Sequence, residues 1–517
     1  MMRLFKKHPI HILFFSVFPV LFFFSNNIRE TTLSKTMLPL SVTFISVGIL
    51  FFIFRRITKS VQKAGIIVSI FVFLFFSFGH FTNFLVDMFN NFALNFEVLV
   101  ISVWLLLFTA ATYIIVRSKV NFSRLTQTLN VISLALVSIS LINIAYYEIR
   151  SGRLFASQKP SEVEELAKTT KPLEPLRDIY YIVPDRYANQ NALKEYYQYD
   201  NSEFIKFLES KDFYVAADSF TNYSKTFTSL ASSLNMEYLD FLTQAYPDTD
   251  DWSVVYPLIE ENKVQRFLQN LGYKFIYFGD WWEPTRVNRF ADQNINYHGT
   301  GILDEFTSKL LETTLAYPLI RNNEEWLEKV RNGHEFKFEQ LEKVAEEPGP
   351  KFVFVHMLLP HDPYVFDEDC NKVEEEIEVG SREAEKAYVK QLKCTNSKFE
   401  TLLGDILANS NPEPIIILQS DEGPFPAEFG GVRGGIDWTD LSREALRSHM
   451  LILNAYHLPE FENKEKLLQP SISPVNSFRI VFNHYFNTNL EILPDKSFIF
   501  AHIERPYDFI DVTGKLK

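Results

Sequence analysis

The chain has 517 residues, 47% hydrophobic and 22% charged, with a formal net charge of -13. The first 150 residues carry 13 Lys and Arg against 4 Asp and Glu, and the remainder 38 against 60. The length and the split composition exclude a single ordinary domain, and the acidic remainder excludes nucleic acid as a partner, because duplex affinity comes largely from Lys and Arg neutralising phosphates.

Five apolar stretches come first, near Pro9–Ser25, Thr36–Phe54, Ala64–Val86, Glu97–Val116 and Thr128–Tyr147. About 20 apolar residues cross a hydrocarbon core of roughly 30 Å, so the expectation is a five-helix transmembrane domain over residues 1–150. The first stretch follows Arg3, Lys6 and Lys7 as a signal peptide would, but it lacks a small-residue cleavage site and four more spans follow. Basic residues cluster before the first span, between the second and third (Arg55, Arg56, Lys59, Lys63) and between the fourth and fifth (Arg117, Lys119, Arg124). The positive-inside rule puts these clusters in the cytoplasm. An odd number of spans then leaves everything after Tyr147 outside, in a multi-pass protein of the cell membrane. Residues 151–177, with Pro160, Pro172 and Pro175, read as a juxtamembrane linker.

Residues 178–517 alternate short apolar runs with helical patterns, which predicts a mostly parallel sheet flanked by helices. Strands are expected at Asp178–Asp185, Phe213–Ser219, Lys274–Asp280, Lys351–Pro360, Pro414–Gly423 and Ser448–Tyr456. Helices are expected at Ser202–Ser210, Val255–Leu271 and Ser381–Ala408. Ligands of open α/β sheets bind beyond the carboxyl ends of the strands. The polar residues there are Asp185, Asp280, His361, Asp421 and Glu422. A lone strand-end Asp is usually a cap or a solvated turn; several on one edge point to a site.

Asp185, Asp421 and Glu422 could offer three carboxylates to one divalent cation, since without one they would raise each other's pKa. All-oxygen ligation suits Mn²⁺, Mg²⁺ or Ca²⁺, and a metal beside a hydroxyl makes a nucleophile at neutral pH. Hydroxyls crowd the run Asn222–Met236, NYSKTFTSLASSLNM, which is also what a capped helix start would carry. Cys370 and Cys394 are the only cysteines. Outside the cell they are free to form a disulfide, and equally to stay as thiols.

Three motifs in this half resemble the sulfatase-like branch of the alkaline phosphatase superfamily, which includes lipoteichoic acid synthases and phosphoethanolamine transferases. Thr226-Phe227-Thr228-Ser229 resembles the nucleophile motif, LGYKFIYFGDWW (Leu271–Trp282) the strand ending in Gly-Lys-Trp, and QSDEG (Gln419–Gly423) the Ser-Asp-His-Gly turn. The resemblance covers most of residues 178–500. It implies an alkaline phosphatase/sulfatase-like fold in which Thr226 is both nucleophile and metal ligand. Asp185, Asp421 and Glu422 complete the metal site, and His361 contacts substrate or protonates the leaving group. Lys225, Asp280 and Trp281 then face substrate, with Trp282 as a second wall and His356 read as structural. Glu422 stands where the family has His, which moves the expected metal toward Mn²⁺ or Mg²⁺ rather than Zn²⁺. Thr226 cannot form the aldehyde that sulfatases make from Cys or Ser. The resemblance therefore implies a membrane-anchored phosphotransferase or phosphodiesterase acting on envelope lipid head groups or glycans. Two alternatives remain open at this stage: a sulfatase-like ester hydrolase using water as acceptor, and a non-catalytic protein that binds the envelope.

Overall fold

The computed structural model describes residues 8–28, 31, 33–88, 96–150, 162–280, 282–297, 305–320, 326–375, 377, 381–424, 437–461 and 467–517. Its N-terminal helices are α1 (His11–Asn26), α2 (Met37–Thr58), α3 (Val61–Met88), α4 (Phe96–Arg117) and α5 (Ser123–Arg150). Of these, α2 to α5 are long and apolar enough to cross a membrane. Helix α1, the first expected span, is apolar but has 16 residues. That is about 24 Å of helix, short of the roughly 30 Å core.

These helices are apolar on every side, as spans require. Phe44, Ile45, Leu106 and Tyr113 are each more than half exposed, a surface suited to lipid. Inside, Val20, Leu21 and Phe24 of α1 meet Val137 and Ile144 of α5. A polar knot joins the helices at their other end: the His11 N–H donates to Asn130 Oδ1 at 2.7 Å, and His11 Nδ1 lies 2.7 Å from Ser69 Oγ.

The later chain supplies seven strands of one sheet: β1 (Ile179–Pro184), β2 (Phe213–Val215), β3 (Lys274–Phe278), β4 (Gln293–Ile295), β5 (Lys351–Met357), β6 (Ile415–Gln419) and β7 (Asn454–His457). Their order is β2-β7-β6-β1-β5-β3-β4. Strand β1 runs parallel to β5 and β6, and β3 parallel to β4 and β5; only β7 opposes its neighbours. The expected mostly parallel sheet is present. Among the helices beyond the spans are α6 (Thr226–Asn235), α7 (Glu305–Glu312), α8 (Tyr317–Ile320), α9 (Trp326–Ala345), α10 (Arg382–Asn409), α11 (Arg443–Met450) and α12 (Ser477–Tyr485).

Alternation along the central strands builds a core on each face. Tyr181, Val183 and Phe354 pack with Leu230 and Leu234 of α6 and Phe478 of α12. Tyr180, Ile182, Val353 and Val355 pack with Leu341 of α9 and with Phe399 and Leu402 of α10. The parallel arrangement then brings the carboxyl ends of β1, β3, β5 and β6 to one edge.

Two expected elements differ. The helix read over Val255–Leu271 breaks into Tyr256–Glu260 and Lys263–Asn270, because the Asn262 side chain accepts from the Gln265 N–H and starts a new helix. The strand read over Ser448–Tyr456 is helical through Met450, because Ser442 caps α11 by accepting from the Ala445 N–H; β7 starts only at Asn454. The segment read as a linker holds a helix, Glu162–Thr169, whose Ala167 enters the core. Cys370 and Cys394 are joined as a disulfide, tying the loop after β5 to α10. By contacts the chain divides into two units, and residues 305–320 belong with the N-terminal helices rather than with the sheet.

At the foot of the sheet Lys351 is 1% exposed, its Nζ 2.5 Å from Asp178 Oδ2, and its N–H donates to Asp178 Oδ1 at 3.0 Å. Removing one partner of a buried ion pair strands the other. Asp178→Ala should therefore destabilise the protein by about 3–5 kcal/mol, read as a large fall in the thermal midpoint of the purified protein.

Candidate active site

Each strand of the central trio delivers one group to the common edge. Asp185 follows β1, His356 is the penultimate residue of β5, and Asp421 lies two residues beyond β6. Parallel register sets Val183 beside His356, so the turn carrying Asp185 and the end of β5 emerge together. One ligand atom from each of Asp185, His356 and Asp421 lies within 4.8 Å of the other two, and all three residues are buried. His356 Nε2 stands 3.6 Å from Asp185 Oδ2.

Among the described residues, the atoms facing inward find no hydrogen-bond partner of good geometry. Asp185 Oδ1, both Asp421 carboxylate oxygens, Glu422 Oε2 and His356 Nε2 are all in this condition. Buried polar atoms are otherwise almost always paired. Burial pushes the Asp185 carboxyl up to about 6; Glu422 and Asp362 add to the rise, while His361 and Arg186 oppose it. Asp421 is driven well above the carboxylate range by burial, then by Asp185 and Glu422. His356 is pushed down by burial, which keeps its imidazole neutral and able to ligate. Two carboxylates and a neutral imidazole with unsatisfied atoms aimed at each other are a donor set that fits a divalent cation.

Glu422 stands apart from that trio. Its Oε1 lies 3.4 Å from Arg186 Nε, and its Oε2 3.9 Å from His449 Nε2. Burial favours its neutral form, but the charges of His449, Lys225 and Arg186 outweigh burial and hold its pKa below the usual value. Arg186 has φ 62°, in the left-handed region, and this turns its side chain back into the site directly after Asp185. Its Nη1 also donates to Asp362 Oδ1 at 2.7 Å.

Thr226 is the first residue of α6, and Lys225 its N-cap. The Thr226 hydroxyl lies near enough to Asp421 to favour the carboxylate form, although no hydrogen bond of good geometry joins them. The helix start adds its own positive field there. Lys225 Nζ sits 5.3 Å from the centre of the Trp438 ring. His361 Nδ1 is bonded to the Asp362 carbonyl, leaving Nε2 for other work. Asp280 is in a buried ion pair with Lys337, whose Nζ also donates to the His356 carbonyl at 2.6 Å. The Trp282 ring is 5.8 Å from that of His356. Trp281 lies outside the described residues.

Sequence reasoning missed Arg186, His449, Asp362 and Trp438, and took His356 as structural. Arg186 and Asp362 each adjoin a residue that was singled out, which is a usable signal. His356 offered none, because every residue of β5 is buried and no alternation marks the side that faces the site.

The sequence matches no protein-family model and no curated protein. Among solved structures it is similar to the C-terminal periplasmic domain of EcEptC from Escherichia coli, at 13% identity over 66% of this chain and 95% of that one, TM-score 0.44. It is similar also to the soluble domain of lipooligosaccharide phosphoethanolamine transferase A from Neisseria meningitidis (12%, 61% and 90%, TM-score 0.40). The lipoteichoic acid synthase LtaP from Listeria monocytogenes is a third (12%, 62% and 76%, TM-score 0.35).

Asp185 supplies a test by pH in metal-free protein. A carboxyl with an ordinary pKa of 3.8 and a folded value of about 6 binds its proton more tightly when folded. Its contribution to stability is full below pH 4 and is lost as pH rises through 6. The thermal midpoint of EDTA-treated protein should fall over that window relative to Asp185→Asn, and a saturating divalent cation should remove the difference.

Proposed function

We propose that the chain is a membrane-anchored, divalent-metal-dependent phosphotransferase or phosphodiesterase that works through Thr226. The observation that carries this reading is the buried Asp185–His356–Asp421 group, with unsatisfied atoms beside the hydroxyl at the start of α6. The motif resemblance around Thr226 and QSDEG supports it, as do four helices able to span a membrane. A fifth span, α1, and a soluble part outside the cytoplasm follow from the basic loops.

Asp185, Asp421 and His356 would hold the cation, with Thr226 as a further ligand. Glu422 is the remaining candidate, if it exchanges its Arg186 contact for the metal. One imidazole among carboxylates favours Mn²⁺ over Mg²⁺. A bound divalent cation supplies charge neutralisation and lowers the pKa of a hydroxyl beside it.

In the first step Thr226 Oγ, having passed its proton to solvent, attacks the phosphorus of a phosphodiester. The bond to the leaving oxygen breaks, and His361 Nε2 gives that oxygen its proton. Arg186 and Lys225 offer permanent positive charge near the developing oxyanion. In the second step an acceptor hydroxyl, or water, attacks the phospho-threonine and frees Thr226 Oγ, with His361 taking the proton back. Trp281, Trp282 and Asp280 stand as the proposed wall of the substrate pocket. A lipid head group is the substrate class that a membrane anchor serves best, and an envelope lipid or glycan the acceptor.

Thr226→Ala should lower turnover of a phosphodiester by about 10³-fold or more while reducing the metal content of the purified chain less than loss of a member of the Asp185–His356–Asp421 group does. His356→Ala should lower the metal content itself. Mass spectrometry of trapped enzyme should find the adduct on Thr226. Absence of metal, together with absence of Thr226-dependent turnover in Mn²⁺, Mg²⁺ and Zn²⁺, would overturn the reading.

A further inference from the structure

After β4 the chain leaves the sheet, and residues 305–320 join the N-terminal helices before α9 resumes the soluble unit. The excursion is short but specifically seated. Phe306 and Leu310, four apart on one face of α7, are buried against Val20, Leu21 and Phe24 of α1 and Val137 and Ile144 of α5. The Phe306 ring lies 5.3 Å from that of Phe23 and 6.2 Å from that of Phe24. The opposite side of α7 carries the exposed Lys309–Glu312 pair. Leu315 then packs with Leu74, Phe78, Val100 and Trp104.

Between these helices the backbone docks on α3 itself. The Leu315 N–H donates to the Phe75 carbonyl at 2.8 Å, and the Gly79 N–H donates to the Thr313 carbonyl at 2.9 Å. Phe75 and Gly79 are the i and i+4 positions that a regular helix would pair. The adjoining Leu74 carbonyl accepts from Trp104 Nε1 at 2.8 Å. A Cβ at Gly79 would stand 2.3 Å from the Glu312 carbonyl oxygen and 2.7 Å from Thr313 Cα, so only glycine admits the segment. The Thr313 and Thr314 hydroxyls turn inward onto the Leu310 and Leu311 carbonyls. Backbone and side-chain groups satisfied in this way are what a segment in hydrocarbon requires.

The depth follows from helix geometry. The 28 residues of α3 make about 42 Å of helix, about 12 Å more than the core needs. Gly79 is nine residues before the helix end at Met88, or about 13 Å along the axis. Even if the whole surplus emerged at that end, Gly79 would lie at the hydrocarbon boundary; any other placement puts it deeper. The neighbouring α3 surface exposes Phe81 and Phe84, and Leu319 on α8, four residues after Leu315, is 85% exposed.

We propose that residues 305–320 form a bilayer-seated excursion of the soluble part, which enters beside α3 at Gly79 and presents Leu319 to lipid acyl chains. The Lys309–Glu312 pair then sits at head-group level, as in interfacial amphipathic helices. The partner is the bilayer boundary. The inference rests on α2 to α5 being spans and not on the catalytic reading.

The full-length protein has no free cysteine among its described residues, so Leu319→Cys in lipid nanodiscs gives one labelling site for an environment-sensitive nitrobenzoxadiazole probe. Expected are a blue-shifted emission and quenching several-fold stronger by acyl-chain-brominated phosphatidylcholine than by iodide in the buffer. Adding Gly79→Ala, and more so Gly79→Leu, should reverse that preference. A probe at 319 that iodide quenches freely and brominated lipid does not overturns the proposal. So does a probe shielded from both, which means protein contact alone. The Leu319→Cys result stands without the glycine variants if these fail to assemble.

Discussion

Everything at the sheet edge depends on one electrostatic constraint, the burial of several carboxylates within a few ångströms of each other. Asp185, Asp421, Glu422 and Asp362 are all nearly inaccessible to water. Like charges so placed repel and lose hydration together, a cost that only paired cations, a bound metal or protonation can offset. Much of the surrounding structure holds the arrangement in place. Ser420 Oγ donates to the Glu422 carbonyl and accepts from the Tyr187 N–H at 2.9 Å. Thr221 Oγ1 donates to the Asp421 carbonyl at 2.5 Å. Gly423 can take no side chain, because a Cβ would meet the His449 carbonyl oxygen at 2.6 Å. A turn fixed by so many backbone contacts cannot relax its carboxylates into water.

Arg186 divides the cluster in two. On its side, Glu422 and Asp362 find a permanent cation and are chemically content as anions. On the other, Asp185, Asp421 and His356 turn toward one another atoms that have no hydrogen-bond partner among the described residues. Glu422 thus need not be a ligand to matter. A histidine at its position would add a donor to the metal side and remove the counter-charge that keeps Arg186 turned inward. The glutamate and the guanidinium are best understood as a pair.

The edge itself was legible in the sequence because strand ends carry chemistry in open α/β sheets, and Asp185 and Asp421 stand at such ends. His356 was not, since a central parallel strand is buried on both faces and its sequence loses the period of two that would orient a side chain. Arg186 depends on a positive φ that its residue type does not announce. The helix break at Asn262 and the capped start of α11 at Ser442 turn on single side-chain hydrogen bonds, which compete with longer hydrophobic patterns and win locally. The excursion at 305–320 was hidden for a different reason. Eight residues of helix with three apolar positions look like any surface helix, and only Gly79, far away in sequence, shows what they fit.

Helix α10 shows how the loop side of the site is held. The loop carrying His361 and Asp362 has no strand to fix it, yet Gln391 on α10 accepts from the Val365 and Phe366 N–H groups and donates to the His361 carbonyl. One turn further along the same helix, Cys394 binds the loop covalently through Cys370. Tyr388, one turn before Gln391, donates to the Arg186 carbonyl at 2.9 Å. A single helical face therefore positions the residue proposed for proton transfer and the arginine that divides the cluster. Because i, i+3 and i+6 advance together on a rigid helix, His361 and Arg186 are set relative to each other by α10 rather than by the loops that carry them.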